Sequence, residues 1–217
     1  TPTLSSAASD VYKRQVLITS GVINNLSTGG PIAIKIINKD WKNWKDKEIE
    51  PFVVPRPGHA DLVGTFKYQH DDIRLTLERA SARETAIRCA IGAICHQILN
   101  QLGVEVVGYV SSIGEQKLEN INVEDIGQIK KLVDESEVSC PDKETSELMI
   151  NEILKARKKK DTLGGSITLV AKNFPAGCGS YVHFDRKLDA KLASSMMSVQ
   201  SVKAVEVGGG IEASKDF

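Results

Sequence analysis

The sequence has no long apolar run, no excess of either charge and no paired cysteine motif. No apolar run approaches the roughly 18 residues that a helix needs to cross a bilayer, so we predict no transmembrane span. Lysine plus arginine and aspartate plus glutamate number 28 each, whereas nucleic-acid-binding domains usually carry a basic excess. The four cysteines form no CxxC pair, and we expect them to be buried thiols of a cytoplasmic protein.

Motifs for nucleotides and metals are missing as well. The segment PAGCGS at residues 175–180 lacks the glycine spacing of a GxGxxG or GxxxxGK[ST] loop. His59 and Asp61 are two potential metal ligands, but no further ligand cluster follows them, so we expect no metal site. The basic run at residues 155–160 is most simply a solvated helix end, with a nucleic-acid patch as the less favoured alternative.

The first 15 residues resemble no fold element. Residues 5–15 read SSAASDVYKRQ, which matches the translation of a transposon-based sequencing-library adapter. A targeting peptide would instead be apolar, or amphipathic and rich in arginine. We therefore predict that residues 1–15 are an assembly artefact and that residues 16–217 form a partial domain.

The remaining pattern mixes strands and helices without a tidy repeat, which predicts an α+β or layered α/β domain. Apolar runs at residues 16–20 and 32–37 flank a glycine turn and predict a strand–turn–strand unit. Apolar runs at residues 104–110 and 201–207 predict two further strands.

One helix has clear start and stop signals. Ser81 and Glu84 have the spacing of a capping box, in which Ser81 accepts the N3 amide and Glu84 reaches back. Isoleucines then recur at positions 87, 91, 94 and 98 and form one apolar stripe. Gly103 is the predicted C-terminal stop.

The clearest candidate site is the segment at residues 55–83, which we interpret as a long structured loop because it is polar and poor in periodicity. The candidate side chains in it are Arg56, His59, Asp61, Lys67, Tyr68, His70, Asp71, Asp72, Arg74, Arg79 and Arg83. Arginines beside the amides of a helix N-terminus form an anion site for phosphate or carboxylate. A histidine inside such a site can exchange a proton near neutral pH. A salt-bridged surface loop is an equally weighted alternative.

Three segments resemble the chorismate synthase family. Residues 56–93 (RPGHADLVGTFKYQHDDIRLTLERASARETAIRCAIGA) carry the resemblance most specifically. They are seconded by residues 20–44 (SGVINNLSTGGPIAIKIINKDWKNW) and by residues 165–208 (GSITLVAKNFPAGCGSYVHFDRKLDAKLASSMMSVQSVKAVEVG). The DWKNW form is similar to that of Gram-positive bacteria. The resemblance implies a layered β-α-β sandwich in the α+β class, which we expect to be incomplete because the family's GESHG opening and its late flavin loop are absent.

The resemblance also implies an activity. Family members convert 5-enolpyruvylshikimate 3-phosphate to chorismate by loss of phosphate in an overall 1,4-anti elimination, a step of the shikimate pathway of aromatic amino acid biosynthesis. The implied cofactor is reduced FMN, used without net redox change, with NADP as an associated nucleotide. A cytoplasmic homotetramer is implied as well. Because pieces of the family's pocket are missing, we expect the chain as written to be inactive.

Site residues follow from the resemblance position by position. His59 matches the active-site histidine, a proton donor or hydrogen-bonding partner near flavin and substrate. Arg56 and Arg83 match positions that hold the anionic substrate. The flavin-contacting positions are matched by Arg79, Ala80, Ser81, Gln200 and Ser201. Two alternatives stay open: a non-catalytic flavin- or anion-binding fragment, and a nucleic-acid-binding protein that uses the basic run.

Overall fold

The computed structural model describes residues 16–119 and 121–215, in which helices and strands are mixed. The described chain divides into two compact units, residues 16–94 with 189–215 and residues 95–188. The predicted α+β class is confirmed. The predicted adapter translation at residues 1–15 lies outside the described residues.

The first unit begins with two antiparallel pairs of short strands. Strand β1 (Val16–Ser20) pairs with β4 (Ala33–Ile36), and between them β2 (Val22–Ile23) pairs with β3 (Leu26–Ser27). The predicted strand–turn–strand unit is therefore confirmed, and a second small hairpin occupies its connection.

Two short helices occupy most of the segment that we expected to be a loop. They are α1 (Asp61–Tyr68) and α2 (Arg74–Ala80), so the loop prediction for residues 55–83 is wrong over most of its length. Helices of eight and seven residues are too short to show a hydrophobic period. They are stabilised by close contact: a Cβ atom added to Gly64 in α1 would lie 2.9 Å from Cβ of Thr76 in α2.

Helix α3 (Glu84–Gln101) starts three residues after the predicted cap. The Oγ atom of Ser81 accepts from the backbone N–H of Arg83 at 3.2 Å, and the carboxylate of Glu84 bonds to other side chains. The capping-box prediction is therefore wrong. The carboxylate of Glu84 pairs with the guanidinium of Arg79, and such a charge-assisted bond is stronger than one to a neutral backbone amide. The stop at Gly103 is confirmed by its left-handed φ of 76° and its N–H bond to the carbonyl of Asn100.

The second unit contains an apolar core. Strand β5 (Glu105–Ile113) lies between β6 (Gln116–Lys117) and β7 (Gly165–Lys172) in an antiparallel sheet. Helices α4 (Ile126–Glu135) and α5 (Lys143–Lys159) pack against this sheet. The buried cluster comprises Val107, Tyr109, Leu118, Ile126, Ile129, Val138, Cys140 and Met149. The predicted strand at residues 104–110 is confirmed, with a longer extent.

The strand predicted at residues 201–207 does not form. Helix α6 (Leu188–Met197) is followed by a turn in which Ser201 has a φ of 72°, and residues 202–207 are irregular. A left-handed residue interrupts the extended backbone that a strand requires. A short 3-10 helix, Glu212–Lys215, comes near the end of the described residues.

The cysteine prediction holds for one residue only. Cys140 is buried, whereas Cys89, Cys95 and Cys178 are exposed. Two of the exposed thiols are on α3, a helix with no buried residue at all. The apolar stripe of this helix was therefore no guide to its burial. In the part of the chain that the structure describes, no helix is long and apolar enough to cross a membrane.

Candidate functional site

His59 lies on the turn that precedes α1. Its Nδ1 atom is 2.8 Å from the carbonyl oxygen of Pro57, and its side chain is exposed. Because a carbonyl oxygen can only accept, Nδ1 carries the hydrogen of this bond. The Nε2 atom is then left for a reacting partner, as an acceptor in the neutral ring or a donor in the imidazolium.

Arg56 is held by Asp61 in a two-pronged ion pair. Its Nε donates to Oδ2 at 2.9 Å and its Nη2 donates to Oδ1 at 3.0 Å, while its backbone N–H donates to Oδ2 at 3.0 Å. These bonds from Arg56 lower the pKa of Asp61 to about 2. Asp61 is 0 % exposed, and both of its carboxylate oxygens accept bonds from Arg56. The Nη1 edge of Arg56 stays available to an anion.

Glu84, the first residue of α3, connects side chains that are distant in sequence. Its carboxylate lies 3.1 Å from Nη1 of Arg79 and accepts a bond of 3.3 Å from Nε2 of Gln200. Arg88, one turn further along α3, lies 3.7 Å from the same carboxylate and donates to Oγ of Ser198 at 2.7 Å. We call these five residues the Glu84 network. It joins the two segments that the family resemblance assigns to the flavin.

Gln200 contains a buried side-chain atom that lacks a hydrogen-bond partner among the described residues. Its Oε1 is buried and has no hydrogen bond within residues 16–119 and 121–215. A buried acceptor without a donor costs about 1–3 kcal/mol, and the neighbouring Ser201 has a φ of 72° that serine rarely adopts. Strained and unsatisfied groups collect at ligand sites. The unpaired oxygen fits a group that brings an N–H donor, as the flavin ring does.

The backbone amides at the start of α3 are less available than we expected. The N–H groups of residues 83–86 all donate to oxygens of residues 81–83. An anion at this helix end would therefore be held chiefly by arginine side chains. Arg79 has a side chain that is 79 % exposed, and Arg83 is exposed too.

The charge of Arg83 acts on Asp40. This aspartate lies in the 3-10 helix Lys39–Asn43 and accepts bonds from Nδ2 of Asn43 at 3.0 Å and Nε1 of Trp44 at 2.6 Å. These two bonds, together with the charge of Arg83, hold the pKa of Asp40 below its usual value. The tryptophan-bearing segment thus contributes to the electrostatics around a predicted substrate-binding arginine.

The predicted residues do not all meet. Over residues 16–119 and 121–215, no hydrogen bond or ion pair links His59 with Arg79, Arg83 or Gln200. The same ranges contain no group of three His, Cys, Asp or Glu side chains that could hold a metal ion. A cavity of about 710 Å³ lies in the second unit, between the end of α5 and the start of β7, and none of the predicted site residues lines it.

Comparison with known proteins settles the family. The sequence profile of chorismate synthase matches residues 8–216. The chain belongs to the chorismate synthase family. The chorismate synthases of Bacillus licheniformis and Caldicellulosiruptor bescii are 45 % and 44 % identical to it over 94 % and 96 % of the chain. That of Endomicrobium trichonymphae is 47 % identical over 90 % of the chain. The resemblance seen in the sequence is confirmed.

A crystal structure of a chorismate synthase matches the fold with a TM-score of 0.83 and 35 % sequence identity. The match covers 97 % of this chain and 60 % of that one. The chain spans 56 %, 57 % and 52 % of the three curated chorismate synthases, a little more than half of each. The family's activity therefore belongs to proteins longer than this chain.

Sequence reasoning missed the contacts of three residues of the candidate site. Asp61 was placed in the candidate segment but not recognised as the partner of Arg56, Asp40 was not considered, and Glu84 was assigned to a helix cap. The available signal for Glu84 was its charge, since it lies five residues after Arg79 and four before Arg88. No local pattern could have shown its bond to Gln200, which lies 116 residues away in the sequence.

Proposed function

We propose that this chain forms the core of an enzyme that converts 5-enolpyruvylshikimate 3-phosphate to chorismate and phosphate by an overall 1,4-anti elimination with reduced FMN. The observation that carries the proposal is the family match over residues 8–216. We place the enzyme in the cytoplasm, in the shikimate pathway. Because the chain spans about half of its relatives, we propose that the 217 residues alone do not turn over substrate.

The substrate has a phosphate and two carboxylates, so its binding calls for fixed positive charge. Arg56 meets this need because Asp61 fixes the plane of its guanidinium while Nη1 stays free to bind an oxygen anion. Arg83 supplies a second cation, whose charge acts on the carboxylate of Asp40. We propose that these two arginines bind the anionic groups of the substrate.

His59 is proposed to hold or move a proton. The bond from Nδ1 to the carbonyl of Pro57 fixes the tautomer and the ring orientation, which leaves Nε2 to act on the reactants. As an imidazolium, the ring donates a hydrogen bond or a proton to a developing negative charge. Loss of phosphate develops such charge on the leaving oxygen.

Reduced FMN, when bound, would supply electron density as the phosphate leaves, with no net redox change. The residues proposed to hold it are Arg79, Ala80, Ser81, Gln200 and Ser201. Arg79 has an exposed guanidinium that can bind a phosphate, and Gln200 has an acceptor that lacks a donor. The association with NADP stays a prediction from the family resemblance.

We also propose a homotetramer. Large apolar side chains are exposed on β7, where Ile167 is 70 % and Leu169 is 52 % exposed, and such surfaces are commonly covered by further protein. Sedimentation equilibrium of a completed chain measures the assembly, and a monomeric mass would contradict the proposal. By completed chain we mean residues 16–217 joined to the N- and C-terminal segments of the Bacillus licheniformis enzyme.

The first experiment is anaerobic phosphate release from 5-enolpyruvylshikimate 3-phosphate, with and without reduced FMN. We expect flavin-dependent release by the completed chain and none by the 217 residues alone. His59→Ala should lower the rate by about 10²–10⁴-fold, the usual contribution of a general acid or base.

The matched control is His183→Ala. His183 is another exposed histidine, and its Nδ1 lies 2.7 Å from Asp185 in the second unit. Its loss should leave the rate within about twofold of the parent, as for surface substitutions away from a site. Absence of release from a folded, flavin-binding completed chain would favour the alternative of a non-catalytic flavin-binding protein.

A further inference from the structure

Resting on the flavin site proposed above, we propose that Glu84 is a positioning residue that fixes the amide of Gln200 so that its oxygen, not its nitrogen, is offered to the flavin. The same carboxylate holds Arg79, so one side chain sets the geometry of both flavin-contacting segments. Glu84 touches neither flavin nor substrate in this assignment.

The contacts of Glu84 differ from those of an ordinary surface ion pair. Its carboxylate has partners on three separate segments: Arg79 at the end of α2, Arg88 within α3, and Gln200 beyond α6. Its side chain is 22 % exposed. Glu152 on α5 offers a useful contrast, because it is 20 % exposed and its ion-pair partner is Lys155, three residues away on the same helix. A carboxylate that joins three segments constrains their relative position, whereas a pair within one helix does not.

The orientation of Gln200 follows from the chemistry of its partner. A carboxylate can only accept hydrogen bonds, so the amide nitrogen of Gln200 must point to Glu84. The bond of 3.3 Å from Nε2 to Oε2 satisfies this requirement. The amide oxygen is then the group left over, and it is the buried atom that has no partner among the described residues.

A ligand at Gln200 must therefore bring a hydrogen-bond donor. The oxidised flavin ring, the fluorescent form, has one N–H donor, the N3–H of its pyrimidine edge, and methylation at N3 removes it. This gives a direct test of the amide orientation that does not depend on turnover. If Glu84 fixes the amide, the preference for FMN over 3-methyl-FMN should depend on the charge at position 84.

The first measurement is the affinity of the completed chain for flavin, followed by the quenching of flavin fluorescence on binding. We expect FMN to bind about tenfold more tightly than 3-methyl-FMN, the usual effect of one hydrogen bond. In Glu84→Gln the amide at position 84 can donate as well as accept, so Gln200 is free to turn over. The affinity ratio should then fall toward one, and FMN itself should bind about tenfold more weakly. Glu152→Gln should leave both quantities unchanged.

The second measurement is amide hydrogen exchange of the 217-residue chain without flavin. Glu84→Gln should raise exchange in peptides that cover residues 79–83 and 198–203, because both lose their shared partner. Glu152→Gln should raise it in neither. A structural effect limited to the start of α3 would raise exchange at residues 84–88 only and would overturn the proposal.

The two readouts separate this inference from the proposed function. If the completed parent chain binds FMN and Glu84→Gln keeps the full preference over 3-methyl-FMN, the inference is wrong and the proposed function stands. If the completed parent chain does not bind FMN at all, the proposed function fails, and the inference fails with it.

Discussion

The two units of this chain differ in what holds them together. In residues 95–188 the interior is apolar, with Val104 and Cys140 1 % exposed and Met149 0 % exposed. In the described part of the other unit, the buried residues are Asp61, Gly64, Ile73 and Thr76. Every residue proposed to bind substrate or flavin belongs to the unit formed by residues 16–94 and 189–215. Ion pairs and hydrogen bonds, rather than a large apolar core, connect the segments of that unit.

This contrast teaches where mutational effects should fall. Apolar burial is the larger stabilising term in proteins, at about 25 cal/mol per Å², and it is concentrated in the unit without proposed site residues. The site depends on directional contacts such as Arg56 with Asp61 and Glu84 with Gln200. Core substitutions should therefore lower stability without changing the site, and polar substitutions in the other unit should change the site with a smaller loss of stability.

The largest expected effect is that of Met149→Ala. Met149 is 0 % exposed in the middle of α5, and removal of a fully buried side chain of this size costs about 2–5 kcal/mol. Amide exchange in peptides from residues 95–188 should show the loss. Leu148→Ala on the same helix, where the side chain is 46 % exposed, should have a much smaller effect. An equal rise of exchange at residues 79–83 would contradict the separation of the two units.

A smaller effect is expected from Gly64→Ala, which tests packing in the site-bearing unit. The added methyl group would lie 2.5 Å from Oγ1 of Thr76 and still closer to its Cγ2, and such overpacking costs about 1–3 kcal/mol. Urea unfolding, followed by amide hydrogen exchange in peptides that cover residues 61–80, measures this loss of stability.

The control is Gly92→Ala on α3, where an added Cβ would meet nothing within 4 Å. Alanine is favoured over glycine inside a helix by up to about 1 kcal/mol, so this variant should be neutral or more stable. If both variants lose stability equally, the contact between α1 and α2 is not the cause.

The smallest effect concerns acid stability and sharpens the contrast between polar and apolar units. Hydrogen bonds from Arg56 lower the pKa of Asp61 to about 2, against about 3.9 in an unfolded chain. The pair therefore stabilises the fold above about pH 4, and this contribution is lost as the pH falls through about 2. Because the Arg56 side chain is 41 % exposed, solvent screening keeps the contribution small.

The measurement compares the Tm of the parent chain with that of Asp61→Asn between pH 5 and pH 2. The parent should be the more stable at pH 5, and the difference should close toward pH 2. A difference that stays constant across this range would show that the charge of Asp61 does not contribute.

The sequence was sufficient for elements whose pattern is local and long enough. Strands β1, β4 and β5 and helix α3 follow from apolar periodicity and a glycine stop. Helices α1 and α2 were missed because their main support is the contact of Gly64 with Thr76, which no period shows. The strand at residues 201–207 was wrongly predicted because Ser201 adopts a positive φ, which serine rarely does and which the apolar pattern does not show.

The candidate site was predictable only through the family resemblance. His59, Arg56 and Arg83 were named from a matched motif, whereas charge density alone left a surface loop equally weighted. The contacts of Glu84 were not predictable from the sequence, since its partners Arg79 and Gln200 are five residues before it and 116 after it. Long-range contacts of polar side chains leave no periodic trace in a sequence.

The burial of Cys140 makes the rate of its chemical labelling a measure of how often the second unit opens. Its thiol is 1 % exposed, and its backbone N–H and carbonyl are bonded to Ser136 and Ser146. A thiol reagent can reach it only when that core opens, so the labelling rate counts openings under native conditions. The exposed Cys89, Cys95 and Cys178 react without such a step. Slow labelling of Cys140, beside fast labelling of the three exposed thiols, would thus give the rate of core opening without denaturant.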